Sequence, residues 1–522
     1  MKLYKFLNIF IAGSFIMFSL LSCKKQLDEV IPQDAISKQQ ALTDANATQT
    51  LYVGVYAQLR AFNGLLFNLG EMRSDIWADG LFVESADGTS QQLSTHNISA
   101  LNVPYSNWGN VSARIANVDR SFNLYNLIYN INNVIDVLPK SPVAEITRNK
   151  WLGEMYGIRA YIYYTMLKTW GPVPLTTEAV QSINNAAETY KARTSQDSIM
   201  LQVKNDIEKS LQLFGSSNTF ATGNRVFWNR VASLALKGDA YLWSGTHLGG
   251  GNADYTTALN ALQEIKNMQG SALNLNTNYA DIFDPTKKAN NPEIIFALNY
   301  ESGQATQTAF SIFFVNGVQA SSYSFTPAPT PTVQSVYPYV NAANRVGMSQ
   351  AMIDRLTAGP ADQRIANSFK VMYSTAAPYS VRGIFLHKWV GTVSGTSQVY
   401  NNDYPIYRYA DVLLLLAEAK TKLGQDPSFE INQIRARAYG AAAPVFTNST
   451  IANNMNVILE EYLNEFIGEG KRWWALRRAG DSYVYANIRS TYLSPTTIAK
   501  LLLPISKEML ANDPLLTQTP GY

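Results

Sequence analysis

The chain has 522 residues, of which 46% are hydrophobic and 16% are charged, and its 42 Lys and Arg against 39 Asp and Glu give a formal net charge of +3. This composition supports a large buried core and excludes a disordered chain, while the near balance of charge gives no support for nucleic-acid binding, which normally needs a strongly basic face. A single cysteine excludes intrachain disulfides and clusters of thiolate metal ligands.

The first residues have the pattern of a secretory leader. Lys2 and Lys5 precede an apolar stretch over residues 6–21. This stretch is too short and too interrupted for a membrane span, which needs about 20 apolar residues. It ends in Leu-Leu-Ser-Cys at residues 20–23, which resembles the lipobox of bacterial lipoproteins, where cleavage falls before the cysteine and the cysteine is lipidated.

This pattern divides the chain into three predicted parts. They are a signal peptide over 1–22, a lipidated tether over 23–40 that begins at Cys23, and a single domain over 41–522. Acyl chains on Cys23 would hold the protein stably at a bilayer without a membrane-spanning helix. The alternative is a chance cysteine near the end of a leader.

Most of the domain is predicted to be helical. Over residues 112–138 apolar residues recur at intervals of three or four, which is typical of an amphipathic helix, and Pro139 ends it. The helix over 144–170 ends at the breaker pair Gly171-Pro172. In chain order, the predicted helices are 41–62, 112–138, 144–170, 195–213, 226–246, 254–268, 408–424, 428–438, 455–479 and 497–510.

Several of these helices form pairs with short connections. Alanines on one side of 226–246 and of 254–268 allow the two helices to approach closely, as in tetratricopeptide-type hairpins. The glycine-rich residues 245–251 between them superficially resemble a phosphate-binding loop. Because they follow a helix rather than a strand, a simple turn is the favoured interpretation.

Two regions between the helices are predicted to be long irregular loops. Residues 63–111 are rich in Gly, Ser, Asn and Asp, and residues 300–407 are rich in Tyr, Ser, Thr and Pro. Loops of this length are usually functional or disordered, and their aromatic content argues against disorder. Since recognition residues concentrate on loops held by a rigid frame, we expect the binding residues here.

The sequence contains few of the patterns that carry catalysis. It has three histidines, and the spacings of helical zinc sites, nucleophile elbows, nucleotide-binding loops and dinucleotide folds are absent. We therefore predict a protein that is not an enzyme and that needs no metal or cofactor. Asp75 and Asp79 beside Trp77 are open to three interpretations, namely a catalytic carboxylate pair, turn-capping acids, or acids that bind sugar hydroxyls while the indole stacks on the ring.

A charged segment near the C-terminus is also open to two interpretations. Residues 469–478 carry two tryptophans among basic residues, as in a nucleic-acid patch, but the lack of overall basic charge favours a helix end whose Trp473 and Trp474 enter the core. Arg472 follows Glu469 by three residues, within the reach of helical pairing.

An ordered set of motifs resembles the SusD/RagB family of Bacteroidetes outer-membrane lipoproteins along nearly the whole chain. Ala475 and Thr519 depart from the family pattern, which often has Asp and Asn there. The matching segments are 125–135 (lY..i..aN.vi), 159–175 (RA..y..l...fG.vPl), 291–296 (N.EiIF), 407–419 (yRyadvlLm.AEa), 431–438 (lN.iR.Ra), 465–478 (E...EG.RwfdLrR) and 503–522 (piP...l...p.l.qNPGY).

This resemblance implies a fold and a partner. The fold is a mainly α scaffold of four tetratricopeptide-like helical pairs with long irregular loops and a few short strands. The protein would be lipid-anchored in the outer membrane, exposed at the cell surface, and associated with a SusC-like TonB-dependent transporter. It would capture an oligosaccharide and deliver it to that transporter.

In the family, the ligand surface comes from the segment between the first helices and from the loops after the N.EiIF strand. The residues predicted to bind ligand here are Trp77, Asp79, Asn107, Trp108 and Tyr323. For each of them, simple packing within a loop is the alternative. A peptide ligand, as in RagB-like members, a surface glycoside hydrolase, and an interaction protein whose only partner is the transporter are alternative functions.

Overall fold

The computed structural model describes residues 37–78, 88–98, 124–180, 185–220, 223–307, 309–359 and 361–522. The predicted leader, Cys23 and most of the tether lie outside these ranges. Three of the predicted ligand contacts, Asp79, Asn107 and Trp108, also lie outside the described residues.

Helices make up most of the described chain, as the periodicity predicts. Those before residue 300 are α1 Lys38–Thr43, α2 Ala45–Arg60, α3 Asn63–Glu71, α4 Gly88–Ser94, α5 Leu124–Val137, α6 Glu145–Trp170, α7 Gln196–Phe214, α8 Arg230–His247 and α9 Gly251–Asn267. Those after it are α10 Gly317–Ala320, α11 Val333–Val336, α12 Gln350–Thr357, α13 Gln363–Ser368, α14 Tyr409–Lys422, α15 Ser428–Tyr439, α16 Ile451–Phe466, α17 Arg472–Ala479, α18 Asp481–Asn487 and α19 Lys507–Asn512.

The long helices stack as neighbouring pairs. Helix α2 packs on α5, α6 on α7, α8 on α9, and α14 on α15. Successive pairs also touch, through α5 with α6, α7 with α8, and α9 with α14. This arrangement, in which each pair contacts the next, confirms the predicted tetratricopeptide-like scaffold. Of the glycine-rich residues 245–251, residues 248–250 form the turn between α8 and α9, as predicted, and the others lie in the ends of the two helices.

Short strands lie mainly in the region predicted to be a long irregular loop. A three-stranded antiparallel sheet has the order β3–β5–β6, and β1 pairs with β4, β2 with β9, and β7 with β8. The strands are β1 Trp77–Ala78, β2 Ile294–Leu298, β3 Tyr323–Ser324, β4 Gly347–Met348, β5 Lys370–Ser374, β6 Val381–Phe385, β7 Thr392–Ser394, β8 Ser397–Val399 and β9 Tyr404–Arg408.

The prediction of unbroken irregular loops over 63–111 and 300–407 was therefore wrong in part. The first region contains α3, α4 and β1, and the second contains the β3–β5–β6 sheet and short helices. Helix α3 shows no helical period because nearly all its residues are buried, including Leu65, Leu66 and Phe67 in succession. The strands are two to five residues long, which is too short for alternation to be seen in the sequence.

The helix predicted over 455–479 is two helices, α16 and α17. Between them Gly468 and Gly470 adopt positive φ angles of 79° and 74°, which end the first helix and turn the chain. Likewise, the helix predicted over 497–510 is a 3₁₀ segment, Pro495–Leu501, followed after an extended stretch by α19. Trp473 and Trp474 are 0% and 9% exposed, so the prediction that they enter the core is confirmed.

Charged residues of several recognised motifs meet inside the protein. Nη1 of Arg408 lies 2.6 Å from Oε1 of Glu293 and 2.6 Å from Oε1 of Glu465, and Nε of Arg408 lies 2.9 Å from Oε2 of Glu469. These side chains form what we call the buried ion network, whose members are Glu293, Arg364, Lys388, Arg408, Arg437, Glu465 and Glu469. The network ties the β2–β9 sheet to α15, to α16 and to the turn after α16.

The electrostatics of this network depend on close pairing. Burial alone would raise the pKa of Glu465, but the guanidinium groups of Arg437 and Arg408 outweigh it and hold that pKa well below its usual range. The predicted pairing of Glu469 with Arg472 was wrong. Glu469 pairs with Arg408 and with Lys388 at 3.0 Å, and Arg472 points to Asp75.

Candidate functional site

Trp77 lies in the core of the protein. Its strand β1 pairs with β4 through Trp77 and Met348. The side chain is 3% exposed, and the centroid of its indole ring lies 4.8 Å from that of Phe313. A ring buried to this extent presents no face on which a sugar could stack, so the structure agrees with the packing alternative for Trp77.

Asp75 has a structural partner. Nε and Nη2 of Arg472 donate to Oδ1 and Oδ2 of Asp75 at 2.8 and 2.7 Å. Such a two-pronged pair is geometrically specific and joins the segment before β1 to α17. The carboxylate of Asp75 is therefore explained by this ion pair rather than by catalysis. Asp79, the other acid of the candidate catalytic pair, lies outside the described residues.

Tyr323 is half-buried and lies on a sheet face that also carries other aromatic rings. It opposes Ser374 across β3 and β5, and Lys370 opposes Phe385 across β5 and β6. Alternate residues of a strand share a face, so Tyr323, Lys370 and Phe385 lie on the same side of the sheet. Among the predicted ligand residues that the structure describes, Tyr323 is the one at the surface.

Three aromatic rings at this face contact one another. The Phe325 ring lies 5.8 Å from that of Tyr337 and 5.4 Å from that of Phe385, both nearly perpendicular, and Tyr337 stacks on Phe385 at 4.9 Å. We call Tyr323, Phe325, Tyr337 and Phe385 the aromatic platform. Within the platform Phe385 is buried and the other three rings are half-buried. The platform therefore has an apolar surface that solvent reaches.

Tyr337 and His387 form a hydrogen-bonded pair at the edge of the platform that is uncharged at neutral pH. The hydroxyl of Tyr337 hydrogen-bonds Nδ1 of His387 at 2.8 Å. Burial lowers the pKa of His387 to about 4, with the charge of Lys370 acting in the same direction, and burial raises the pKa of Tyr337 to about 12. An apolar ring face beside neutral hydrogen-bonding groups suits a ligand that has both apolar C–H faces and hydroxyl groups.

Exposed apolar side chains lie on the elements that touch β3. Val318 on α10 is 86% exposed, Val336 on α11 is 44% exposed, and Tyr339 beyond α11 is 37% exposed. Both α10 and α11 contact β3 and each other. Exposed apolar side chains on elements that contact one another are consistent with a binding surface.

Several residues of this surface are absent from the sequence-based site. Lys370 lies on β5, which pairs with the strand of Tyr323, and His387 joins the surface through its hydrogen bond with Tyr337, so each contact spans about fifty residues of sequence. The richness of residues 300–407 in tyrosine indicated the region, but the pairing that selects particular residues is a long-range property.

The histidines elsewhere have structural partners. Nε2 of His96 donates to the carbonyl of Arg73 at 3.0 Å, and Nε2 of His247 donates to the carbonyl of Arg477 at 2.7 Å. Within the described ranges, no three or more His, Cys, Asp or Glu lie together in a way that could hold a metal ion. Among the helices in those ranges, none is both long and apolar enough to cross a membrane.

Comparisons with known proteins agree on one family. Residues 362–522 match the model of the SusD family, and residues 84–242 match a model described as starch-binding associating with outer membrane. SusD-like protein P38 of Formosa agariphila is 25% identical over the full length of both chains.

Two solved structures are similar to this chain in both sequence and fold. NanU of B. fragilis is 31% identical with a TM-score of 0.81 and covers 94% of this chain and 100% of its own. A SusD superfamily protein from Bacteroides vulgatus is 30% identical with a TM-score of 0.77 and covers 92% of this chain and 99% of its own. Together with the ordered motifs and the stacked helical pairs, these matches show that the chain belongs to the SusD/RagB family.

Proposed function

We propose that the protein binds an oligosaccharide at the cell surface and delivers it, chemically unchanged, to a SusC-like TonB-dependent transporter of the outer membrane. The aromatic platform is the observation that carries this proposal. The description of the model matched by residues 84–242, which names starch binding and the outer membrane, supports both the class of ligand and the location.

The platform has the physical properties that sugar binding needs. Sugar rings present a face of C–H groups that can lie on aromatic rings, and aromatic contacts contribute about 0.5–1.5 kcal/mol beyond the area they bury. Tyr323, Phe325 and Tyr337 would supply that contact, while the hydroxyl of Tyr337 and the imidazole of His387 would exchange hydrogen bonds with sugar hydroxyls. Asp79, Asn107 and Trp108 remain proposed as further contacts, from the segment between the first helices.

The same proposal assigns a role to the N-terminus. Cleavage before Cys23 and acylation of its thiol would anchor the protein in the outer membrane, because two or more acyl chains bind a bilayer stably. Replacing Cys23 with alanine should then move the protein from the membrane fraction to the soluble fraction of the native host. Unchanged fractionation would contradict the anchor.

A binding screen tests the proposal directly. We expect the purified domain, without its leader, to bind members of a glycan array and to ignore peptide pools of mixed sequence. Incubation with the bound glycan should produce no new reducing ends. Binding to peptides alone would favour the peptide-uptake alternative, and new reducing ends would favour the hydrolase.

A further inference from the structure

A second cavity lies on elements that the aromatic platform does not use. It has a volume of about 400 Å³ and is formed by α6, α7, the start of α8 and residues within 217–220 and 224–229. Pockets of 300–1,000 Å³ are the usual size for small organic ligands. Its apolar lining consists of Ile146, Leu213, Phe214, Phe220, Phe227 and Trp228.

Two glycines of α6 hold the walls of this cavity close to the helix. A Cβ at Gly157 would lie 2.1 Å from Nε1 of Trp228, and a Cβ at Gly153 would lie 3.2 Å from the ring of Phe214. The indole N–H of Trp228 donates to Oγ of Ser233 at 2.8 Å, which fixes that ring. The aromatic walls are therefore held in place by packing and do not depend on a ligand.

Arg225 is a buried cation that lines the cavity without an acidic partner. Its side chain is 6% exposed, and its guanidinium lies 3.6 Å from the centroid of the Phe220 ring. Nη2 donates to the carbonyl of Ala272 at 3.0 Å and Nη1 donates weakly to that of Ile294 at 3.5 Å. Among the described residues, no carboxylate pairs with Arg225. Burial lowers its pKa to about 10, so it remains charged at neutral pH.

The charge of the remaining lining is also positive. Lys150 and Arg230 line the cavity with Arg225, and the lining drawn from the described residues contains no Asp or Glu. Arg230 is held by Glu264 at 2.6 Å, and the carboxylate of Glu154, which interacts with Lys150 through its charge, points to Tyr52 and Tyr56. A buried charge without a partner is costly, and an anion that enters the cavity would reduce that cost.

Phe227 extends this surface beyond one cavity. Its ring is 37% exposed and also lines an adjoining hollow of about 330 Å³. That hollow is bordered by Arg60 and, among the described residues, by no acid. A ligand longer than one ring could therefore lie across Phe227 and meet a second basic side chain.

We propose that this cavity binds a sugar unit that carries an oxyanion, either a carboxylate or a sulfate ester. N–H groups of Arg225 that the two carbonyls leave free donate to the anion, and Phe220 and Phe227 contact the apolar face of the ring. Charge-assisted hydrogen bonds of this kind are about twice as strong as neutral ones, so the cavity selects charged over neutral sugars. The inference does not depend on the aromatic platform.

Ligand-observed NMR titrations with glucuronate, glucose 6-sulfate and glucose test this proposal. We expect one or both charged sugars to bind at least about tenfold more tightly than glucose, with affinity falling as salt is raised. Equal binding of the two charged sugars would mean that charge alone is recognised, and a preference between them would name the anion. No binding of either up to about 10 mM, or equal affinity for glucose, would overturn the proposal.

Matched variants assign the binding to this cavity. Arg225→Met should reduce the affinity for the charged sugar to that for glucose. Phe227→Ala, at an exposed ring whose removal leaves the core intact, should weaken binding even if Arg225→Met does not fold. Tyr323→Ala on the aromatic platform should leave this binding unchanged, which separates it from the proposed function. Charged-sugar binding that keeps its full affinity in Phe227→Ala, or that Tyr323→Ala removes, would overturn the assignment.

Discussion

Glu154 is a buried acid on α6 that two tyrosines approach at once. The hydroxyls of Tyr52 and Tyr56 both donate to its Oε2 at 2.5 Å, and its Oε1 has no partner among the described residues. Burial raises the pKa of Glu154 to about 7, and the two hydroxyl groups reduce the rise without cancelling it. The native protein therefore holds this carboxyl in its protonated form at mildly acidic pH.

This carboxyl should make the free energy of unfolding depend on pH. The pKa of Glu154 is higher in the folded chain than in the unfolded one. The protonated carboxyl therefore stabilises the folded state fully below about pH 4.5, and this stabilisation is lost as the pH rises to about 7. The loss is on the order of 3 kcal/mol. Glu154→Gln imitates the protonated form, so urea unfolding should show a smaller decline between pH 5 and pH 7 in the variant than in the wild type. Identical pH profiles for the two proteins would contradict the assignment.

The sequence shows which residue types could form a site, but it does not show which of them the fold buries or pairs. The sequence shows Trp77 between Asp75 and Asp79, which is the appearance of a sugar site. In the structure Trp77 is buried on a strand that pairs at Met348, and Asp75 forms an ion pair with Arg472. Both partners lie more than 250 residues away, so neither contact leaves a local trace. Tyr323 is predicted as a ligand contact because it lies in the tyrosine-rich region after the N.EiIF strand, which is a local signal.

The turn between α16 and α17 depends on backbone contacts that allow no side chain. The carboxylate of Glu71 accepts the N–H groups of Gly468 at 2.7 Å and of Gly470 at 3.0 Å. A Cβ at Gly470 would lie 2.5 Å from Oη of Tyr404 and 2.9 Å from Cα of Phe67, and the residue has a φ of +74°. The turn therefore locks α3 against the end of α16.

Gly470→Ala should destabilise the protein more than a glycine substitution that meets only backbone strain. Gly424 after α14 has a similar φ of +70° with nothing within 4 Å of its Cβ, so Gly424→Ala serves as the control. Gly424→Ala should lower the free energy of unfolding by about 1–2 kcal/mol. Gly470→Ala should lower it by about 1–3 kcal/mol more, because the added methyl group overpacks the site. Thermal and urea unfolding measure both, and equal losses would show that the turn tolerates a side chain.

Among the secondary-structure elements, helices with a long run of apolar periodicity were predicted more accurately than short elements and breaks. Helix α5 ends at Val137 and α6 at Trp170, as Pro139 and Gly171-Pro172 indicate. The break in the helix predicted over 455–479 was missed because apolar spacing continues across Gly468 and Gly470, and only their contacts with Glu71 require the turn.

The whole molecule is held together by charges as well as by apolar packing. The buried ion network joins strands, helices and a turn that are up to 176 residues apart, from Glu293 to Glu469. Buried ion pairs are weak sources of net stability, but breaking one by removing a single partner leaves charges without compensation. The motifs that identify the family are thus, in part, the members of this network.

Arg408→Met should therefore lower the free energy of unfolding by about 3–5 kcal/mol, since it leaves Glu293, Glu465 and Glu469 short of a cation. The exposed pair of Arg355 and Glu460, at 3.3 Å, provides the control. Arg355→Met should change stability by less than about 1 kcal/mol, because solvent screens surface pairs. Urea titration of both variants measures this contrast. A loss below about 1 kcal/mol for Arg408→Met would show that the remaining carboxylates do not depend on Arg408 for compensation of their charge.

The stack of helical pairs was predictable from helix spacing, and the motif resemblance supplied its number of pairs. The ligand surface was predictable only as a region, because its members meet through strand pairs of two to five residues and through contacts distant in sequence. The ligand itself depends on which groups face each surface. The platform presents aromatic rings and the Tyr337–His387 pair, and the other cavity presents the buried cation Arg225.

The most direct test of the central claim is calorimetric titration of the wild type and two tyrosine variants with the strongest glycan from the array. Tyr323→Ala removes a ring of the aromatic platform, and Tyr129→Ala removes an exposed ring on α5 as the matched control. We predict that Tyr323→Ala weakens binding at least about tenfold and that Tyr129→Ala leaves it unchanged, since a stacked aromatic ring is worth about 1–3 kcal/mol when it is removed. Equal affinity in all three proteins would contradict the assignment of glycan binding to the platform.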